Sequence, residues 1–280
     1  MNLYDPVWIR AVLEKHGHQF SKGMGQNFLT RPDIAERIAA TADKSCCVVE
    51  IGPGHGALTN QLCRSAAAVT SIELDTRLLP VLEETMAGFD NLRVINGDAL
   101  KQDFAAICRE MSPQLTPVLC ANLPYNITTP VLTALAKQHF FTRMTVMVQK
   151  EVTERLTARP GTERYGVLTA LLQAHYNARV LFDVPASCFV PQPHVDSAVI
   201  TFEKRTTPAV EEELWPMYAR VVTAAFAQRR KTLSNALEMG GLCAKGEAAG
   251  VLTACGWDPR IRGERLSPEE FAGLAAALQK

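Results

Sequence analysis

Between residues 47 and 148, short apolar runs alternate with stretches of helical period, and the apolar runs end in glycine, carboxylate or amide residues. No other feature of the chain restricts its fold as much. A repeated apolar run, turn and amphipathic stretch is the mark of βαβ units, which wind parallel strands into an open sheet covered by helices. Strands buried on both faces read as continuous apolar sequence. Val48-Val49-Glu50-Ile51 and Val118-Leu119-Cys120-Ala121 are runs of that kind, and Met144 to Val148 supplies a fifth strand. Open α/β sheets bind ligands at the carboxyl ends of their strands. Function should therefore be sought in the residues that close each run.

Four such ends stand out. Gly52-Pro53-Gly54-His55-Gly56 leads from a strand into a helical pattern. Glycines there permit positive φ and let a ligand approach the backbone. The next run ends at Glu73 and Asp75. Glu73 lies about 20 residues beyond the first glycine, where nucleotide folds place a ribose-binding carboxylate. A third run precedes Gly97-Asp98, and a fourth precedes Asn122-Leu123-Pro124-Tyr125. In that tetrapeptide the Asn oxygen and a nearby backbone carbonyl can accept hydrogen bonds from an exocyclic amino group. Pro rigidifies the turn, and Tyr offers a flat face for a base. Each member has a plain alternative: Glu73 a solvated strand-end charge, Asp98 a turn-forming Asx, Asn122 to Tyr125 a loop. Their order along one sheet edge points to a site for a nucleoside-bearing cofactor beside an amino-group acceptor.

The glycine turn admits a dinucleotide or S-adenosylmethionine. It lacks the Gly-x-Gly-x-x-Gly pattern, and Pro53 removes an N–H that a pyrophosphate would use. Adenosylmethionine has no phosphate and loses less by that absence.

Elsewhere the sequence is read more coarsely. Residues 6–16 look helical and are followed by Lys15, His16, His18, Phe20 and Lys22. Thr30-Arg31-Pro32-Asp33 reads as a helix start with Thr30 as N-cap, and Ser267-Pro268-Glu269-Glu270 as another. Two strands, 180–184 and 198–202, are joined by a Pro-rich loop without a convincing helix, which suggests an antiparallel hairpin closing the sheet. Phe189 in that loop is a candidate to face Tyr125 across a flipped base, or else a core anchor. A polar break places a domain boundary at 205/206, and beyond it the patterns are all helical. The formal net charge is zero, so contact with nucleic acid requires a local basic patch. Arg229-Arg230-Lys231 is the densest one, with a solvated helix face as the alternative. With 47% hydrophobic and 21% charged residues the chain is of ordinary globular composition. Its eight cysteines show no Cys-x-x-Cys, Cys120 reads as a small core residue, and the histidines form no metal constellation. No signal-peptide pattern and no membrane-spanning run are seen, so a cytoplasmic protein with reduced thiols is expected.

Taken together, residues 25–29, 50–59, 73, 97–100, 122–126, 149–156, 189–199, 225–237 and 262–271 resemble the ribosomal RNA adenine N6,N6-dimethyltransferases of the KsgA/RsmA type. The resemblance implies a Rossmann-like, S-adenosylmethionine-dependent methyltransferase domain over residues 1–205, with an N-terminal arm over 1–30, and an α-helical rRNA-docking domain over 206–280. Asn27, Leu29, Gly52, Gly54, Glu73, Asp98 and Asn122 would surround the cofactor, with Glu73 on the ribose and Asp98 on the adenine amino group. Asn122, the Leu123 carbonyl, Tyr125 and Phe189 would form the target-base site, and Arg229, Arg230 and Lys231 would meet RNA. The implied partner of a monomeric enzyme is 16S rRNA within the immature 30S subunit, with two adjacent adenines of its 3′-terminal hairpin dimethylated. The alternatives are a non-catalytic assembly checkpoint factor, or a large-subunit rRNA or DNA adenine methyltransferase. The chain departs from the family's pattern at His194, where Lys is frequent, and in its neutral overall charge.

Overall fold

The computed structural model describes residues 2–18 and 26–279. In chain order these form α1 (Pro6–Lys15), β1 (Phe28–Leu29), α2 (Pro32–Ala39), β2 (Cys46–Ile51), α3 (Ala57–Ser65), β3 (Ala68–Glu73), α4 (Leu79–Met86), β4 (Leu92–Asn96), α5 (Phe104–Met111), β5 (Thr116–Asn122), α6 (Thr128–Gln138), β6 (Arg143–Gln149) and α7 (Lys150–Leu156). The chain continues through α8 (Val167–Gln173), β7 (Tyr176–Val184), β8 (Phe189–Val190), β9 (Ser197–Lys204), α9 (Trp215–Ala227), α10 (Leu233–Met239), α11 (Ala248–Ala254) and α12 (Pro268–Gln279).

Seven strands make one sheet in the order β4-β3-β2-β5-β6-β9-β7. The pairs β4–β3, β3–β2, β2–β5 and β5–β6 are parallel, and β9 runs antiparallel to β6. The apolar runs behave as their continuity predicts: β2 is buried at every residue and β6 at all but its two ends. Strand order reverses between β2 and β5, so the ends of β2, β3, β4 and β5 lie along one edge at the switch point, where such sheets take ligands. The two late strands are neighbours at the far side of the sheet, as the Pro-rich loop between them suggests. Within that loop β8 turns aside to pair with β1, Phe28 opposite Val190 and Leu29 opposite Phe189.

That pairing corrects one expected helix start. Thr30 does not cap α2: its N–H and its hydroxyl both donate to the Cys188 carbonyl at 2.9 Å, and Arg31 occupies the N-cap position without a side-chain bond. Extending the β1–β8 ladder satisfies Thr30 before the helix begins. Ser267 and Glu270 do form the expected reciprocal cap, with Ser267 N–H donating to Glu270 at 2.7 Å and Glu270 N–H to the Ser267 hydroxyl at 3.2 Å. Cys120 is buried in the core, as expected.

The chain divides into two compact units, residues 1–153 with 179–203, and residues 154–178 with 204–280. The second therefore includes an excursion, 154–178, that a single division at 205/206 does not contain. In the first unit the sheet core is continued by a cluster of Ile9, Val12 and Leu13 of α1 against Phe28, Leu78, Val81 and Val190. The second unit is built on α9, whose Trp215, Tyr218 and Phe226 meet His175, Tyr165 and Phe271 edge-on or tilted. Among the described residues no helix is long and apolar enough to cross a membrane.

Candidate active site

The carboxyl edge encloses a cavity of about 150 Å3 in the first unit, lined by the ends of β1 to β5. In the turn that supplies part of its wall, Gly52, Gly54 and Gly56 all take positive φ, at 70°, 61° and 93°. Two of them also stand close to side chains. A Cβ on Gly54 would lie 3.3 Å from the Phe28 ring, and one on Gly56 would lie 2.8 Å from the Met86 methyl. The turn's glycine amides are used inside the protein. Gly52 N–H donates to the Ile72 carbonyl at 3.0 Å, Gly54 N–H to Glu73 Oε2 at 3.3 Å, and Gly56 N–H to the Pro53 carbonyl at 3.0 Å. With Pro53 lacking a donor, no glycine amide of the turn is left for a phosphate.

Charge points the same way. Glu50, Glu73, Asp75 and Asp98 line the cavity, and among the described residues lining it there is no Lys or Arg. Glu73 is only 5% exposed. Its Oε1 accepts from Asp75 N–H at 2.8 Å, and burial raises its pKa above the ordinary carboxylate value despite that bond and the one from Gly54. Asp98 accepts from Leu100 N–H at 2.9 Å through Oδ1. It is thus the turn-forming Asx of the plain alternative and a cavity-wall carboxylate at once. A pocket of carboxylates without cations repels a pyrophosphate and suits a cofactor that carries a sulfonium and an ammonium. The residues present fit adenosylmethionine on that ground.

The acceptor side is arranged differently. Asn122 closes β5, and its Nδ2 donates to the Asn27 carbonyl at 3.2 Å. This leaves Oδ1 as the atom that can accept from a ligand. Leu123 N–H donates to the Met147 carbonyl at 3.1 Å, and among the described residues the Leu123 carbonyl has no donor. Asn122 Oδ1 and the Leu123 carbonyl are thus two hydrogen-bond acceptors, one residue apart, without a protein donor among the described residues. Tyr125 is half-buried, with its hydroxyl 2.7 Å from that of Ser197, and burial raises its pKa.

Asn27, Leu29, Gly52, Gly54, Glu73, Asp98, Asn122, Leu123 and Tyr125 all line the one cavity. Phe189 does not. It is 5% exposed and belongs to the buried cluster that holds Leu29, Val184 and Cys188, the position of a core anchor. Glu50, His55 and Asp75, to which the sequence alone assigns no role, also line the cavity. Glu50, 1% exposed, accepts from Thr59 at 2.8 Å and Ser71 at 2.6 Å, and burial pushes its carboxyl up to about 7. A carboxylate inside an otherwise apolar strand, directly before the glycine turn, was the available signal. His55 is buried with Nε2 2.7 Å from the Leu3 carbonyl, and burial lowers its imidazole to about 4.

In the second unit, Arg229, Arg230 and Lys231 lie just past the end of α9 in an exposed turn. They are not equivalent. Arg229 Nη2 donates to the carbonyls of Glu163 at 2.6 Å and Tyr165 at 3.2 Å. Arg230 and Lys231 have no ion-pair partner among the described residues. Of the basic and aromatic residues before β1, Lys15 and His16 both reach Glu84 at 2.7 Å. His18 packs beside Asp75, while Phe20 and Lys22 lie outside the described residues, as does Gly25.

Fold and cavity together define a Rossmann-like, S-adenosylmethionine-dependent methyltransferase with an α-helical second unit. The family model for ribosomal RNA adenine dimethylase matches residues 17–254, and the chain belongs to that family. It is 45% identical to a ribosomal RNA small subunit methyltransferase A of Geobacillus sp. (strain WCH70), over 98% of this chain and 97% of the relative. Among solved structures, a dimethyladenosine transferase from Plasmodium falciparum superposes with a TM-score of 0.73 at 26% identity, covering 88% of this chain and 95% of that one. The 23S rRNA methyltransferase ErmE gives 0.67 at 25% identity, covering 91% and 100%.

Proposed function

We propose that the protein dimethylates N6 of two adjacent adenines in the 3′-terminal hairpin of small-subunit rRNA, acting on the immature subunit. The observation that carries this is the paired acceptor, Asn122 Oδ1 and the Leu123 carbonyl, on the wall of a cavity whose described lining is acidic and contains no Lys or Arg. Identity of 45% to a small-subunit enzyme, against 25% to a large-subunit one, favours the small subunit.

When bound, adenosylmethionine supplies an electrophilic methyl on a sulfonium. Glu73 would hold its ribose, Asp98 its adenine amino group, and Asn27, Leu29, Gly52 and Gly54 its remaining surface. The amino nitrogen of adenine is a weak nucleophile because its lone pair is delocalised into the ring. Hydrogen bonds from N6 to Asn122 Oδ1 and the Leu123 carbonyl favour a pyramidal nitrogen and aim the lone pair into the cavity, so positioning does most of the work. Tyr125, held by Ser197, provides a fixed face for the extruded base. No general base is assigned, because the alkylated nitrogen is acidic and releases its proton to water. Arg230 and Lys231 are free to meet phosphates, with Arg229 shaping the turn that presents them.

Labelled adenosylmethionine incubated with the protein and immature small subunits, large-subunit RNA or duplex DNA tests the reading. Label in two adjacent small-subunit adenines is expected. Label only in large-subunit RNA or DNA would reassign the enzyme, and tight subunit binding without label would make it an assembly factor.

A further inference from the structure

Asp75 is not one of the groups assigned above, yet it is the most heavily contacted carboxylate of the cavity. Its Oδ1 accepts from Arg77 N–H at 3.1 Å and Arg77 Nε at 2.8 Å, and its Oδ2 from Arg77 Nη2 at 2.7 Å and Gln26 Nε2 at 3.3 Å. His18 Nε2 lies 3.3 Å from the same Oδ2. The hydrogen bonds from Arg77 hold the Asp75 carboxyl far below the ordinary range, so it carries its charge throughout the working pH. One residue beyond Gln26 is Asn27, whose carbonyl receives the Asn122 amide. Beyond that, Phe28 and Leu29 enter the ladder with β8. The segment 26–29 is therefore fastened at both ends, by Asp75 on one side and by β8 on the other. Asn27 sits between the two fastenings, and all four residues line the cavity.

We propose that Asp75 is a positioning residue that clamps the segment 26–29 through Gln26 and thereby fixes which atom Asn122 turns toward the target base. The inference rests on the acceptor role given to Asn122 above. Nδ2 and Oδ1 of an asparagine exchange places on rotation about the last side-chain bond, and only Oδ1 can accept from an amino group. The Asn27 carbonyl selects the productive rotamer by taking the NH2 end. If the segment loosens, that choice is lost and the amide can present a donor to a donor. The clamp also joins the two halves of the cavity: one short backbone segment is at once a wall of the cofactor site and the orienting group of the base site.

The test uses Gln26→Glu, Gln26→Leu and the double variant Gln26→Glu with Asp75→Asn. Gln26→Glu sets carboxylate against carboxylate, and Gln26→Leu removes the donor while leaving Asp75 with Arg77. Asp75→Asn alone is not used, because the Gln26 amide can rotate to accept from the new NH2. Asn caps a helix start as well as Asp does, so in the double variant the turn at residues 76–78 is kept and a donor–acceptor pair is restored in the reverse sense. Amide hydrogen exchange at residues 27–30, with and without S-adenosylhomocysteine, should be about tenfold faster in each Gln26 variant and return to wild type in the double. Single-turnover methyl transfer to immature small subunits should fall by about 10- to 100-fold in each Gln26 variant, with subunit affinity unchanged, and recover in the double. Wild-type exchange in both Gln26 variants would overturn the clamp, as would a double variant no better than Gln26→Glu. If the wild type labels no small-subunit adenine, the functional reading fails, and the exchange measurement still decides the clamp.

Discussion

The sheet edge of the first unit and the turn after α9 in the second use charge in opposite ways. At the sheet edge four carboxylates line a cavity, and backbone amides, hydroxyls or a guanidinium of the same unit hold each of them. After α9, cations stand in solvent; Arg229 alone is tied down, by two carbonyls. A neutral total charge therefore conceals two specialised regions. Carboxylates with satisfied partners, three of the four buried, fix a shape and a field for one small cationic ligand. Exposed cations in the turn between α9 and α10 are suited to a polyanion whose contacts shift with salt. Net charge thus describes neither site, and burial separates a structural charge from one available to a partner.

Five changes would break or sharpen that contrast, beginning with the largest. Asn122→Ala removes the acceptor and should lower the methyl-transfer rate by about 100- to 1,000-fold with the fold intact. Near-normal turnover by a folded variant would take Asn122 out of the mechanism. Next, the buried Glu50 makes stability depend on pH. Its folded pKa of about 7 lies above the ordinary 4.5, so the folded state holds the proton more tightly. That contribution is complete below the lower value and is lost as pH rises through the upper one. Denaturation from pH 5 to 8 should show wild type losing up to about 3 kcal/mol relative to Glu50→Gln. His55, lowered to about 4, works in the reverse direction below pH 6.5 and cancels because both proteins carry it. A pH-independent difference would place Glu50 in contact with solvent.

Glu73→Ala should weaken cofactor binding by about 1.5–3 kcal/mol, read by calorimetry, and leave RNA affinity alone. Unchanged cofactor affinity would return Glu73 to a strand-end charge without a ligand. The smallest effect concerns the other region. Arg230→Ala with Lys231→Ala should flatten the dependence of log affinity for the subunit on log salt by about 0.7–0.9 per lost phosphate contact and spare cofactor binding. Arg229→Ala should instead lower the melting temperature of the protein, since its guanidinium bonds carbonyls at 163 and 165. Equal salt slopes would make the turn a solvated surface.

The sequence by itself determined the parallel sheet, because strands covered on both faces must be apolar throughout, and β2, β5 and β6 announce themselves that way. It also determined the sheet-edge site, since glycine turn, carboxylates and Asn-Leu-Pro-Tyr each sit at a strand's end and topology alone aligns such ends. Tertiary structure decided what depends on contacts distant along the chain. Phe189 is core because β8 pairs with β1, more than 150 residues earlier. Thr30 leaves the cap of α2 for the same ladder. Residues 154–178 join the C-terminal helices through packing that no local signal encodes. Asn122 has its orientation from a carbonyl 95 residues away, and Asp75 has its place beside Gln26 from the fold of the N-terminal segment over the sheet edge. Local pattern fixes which residues reach the edge; which of their atoms remain open to a ligand is settled only when every neighbouring donor and acceptor has found its partner.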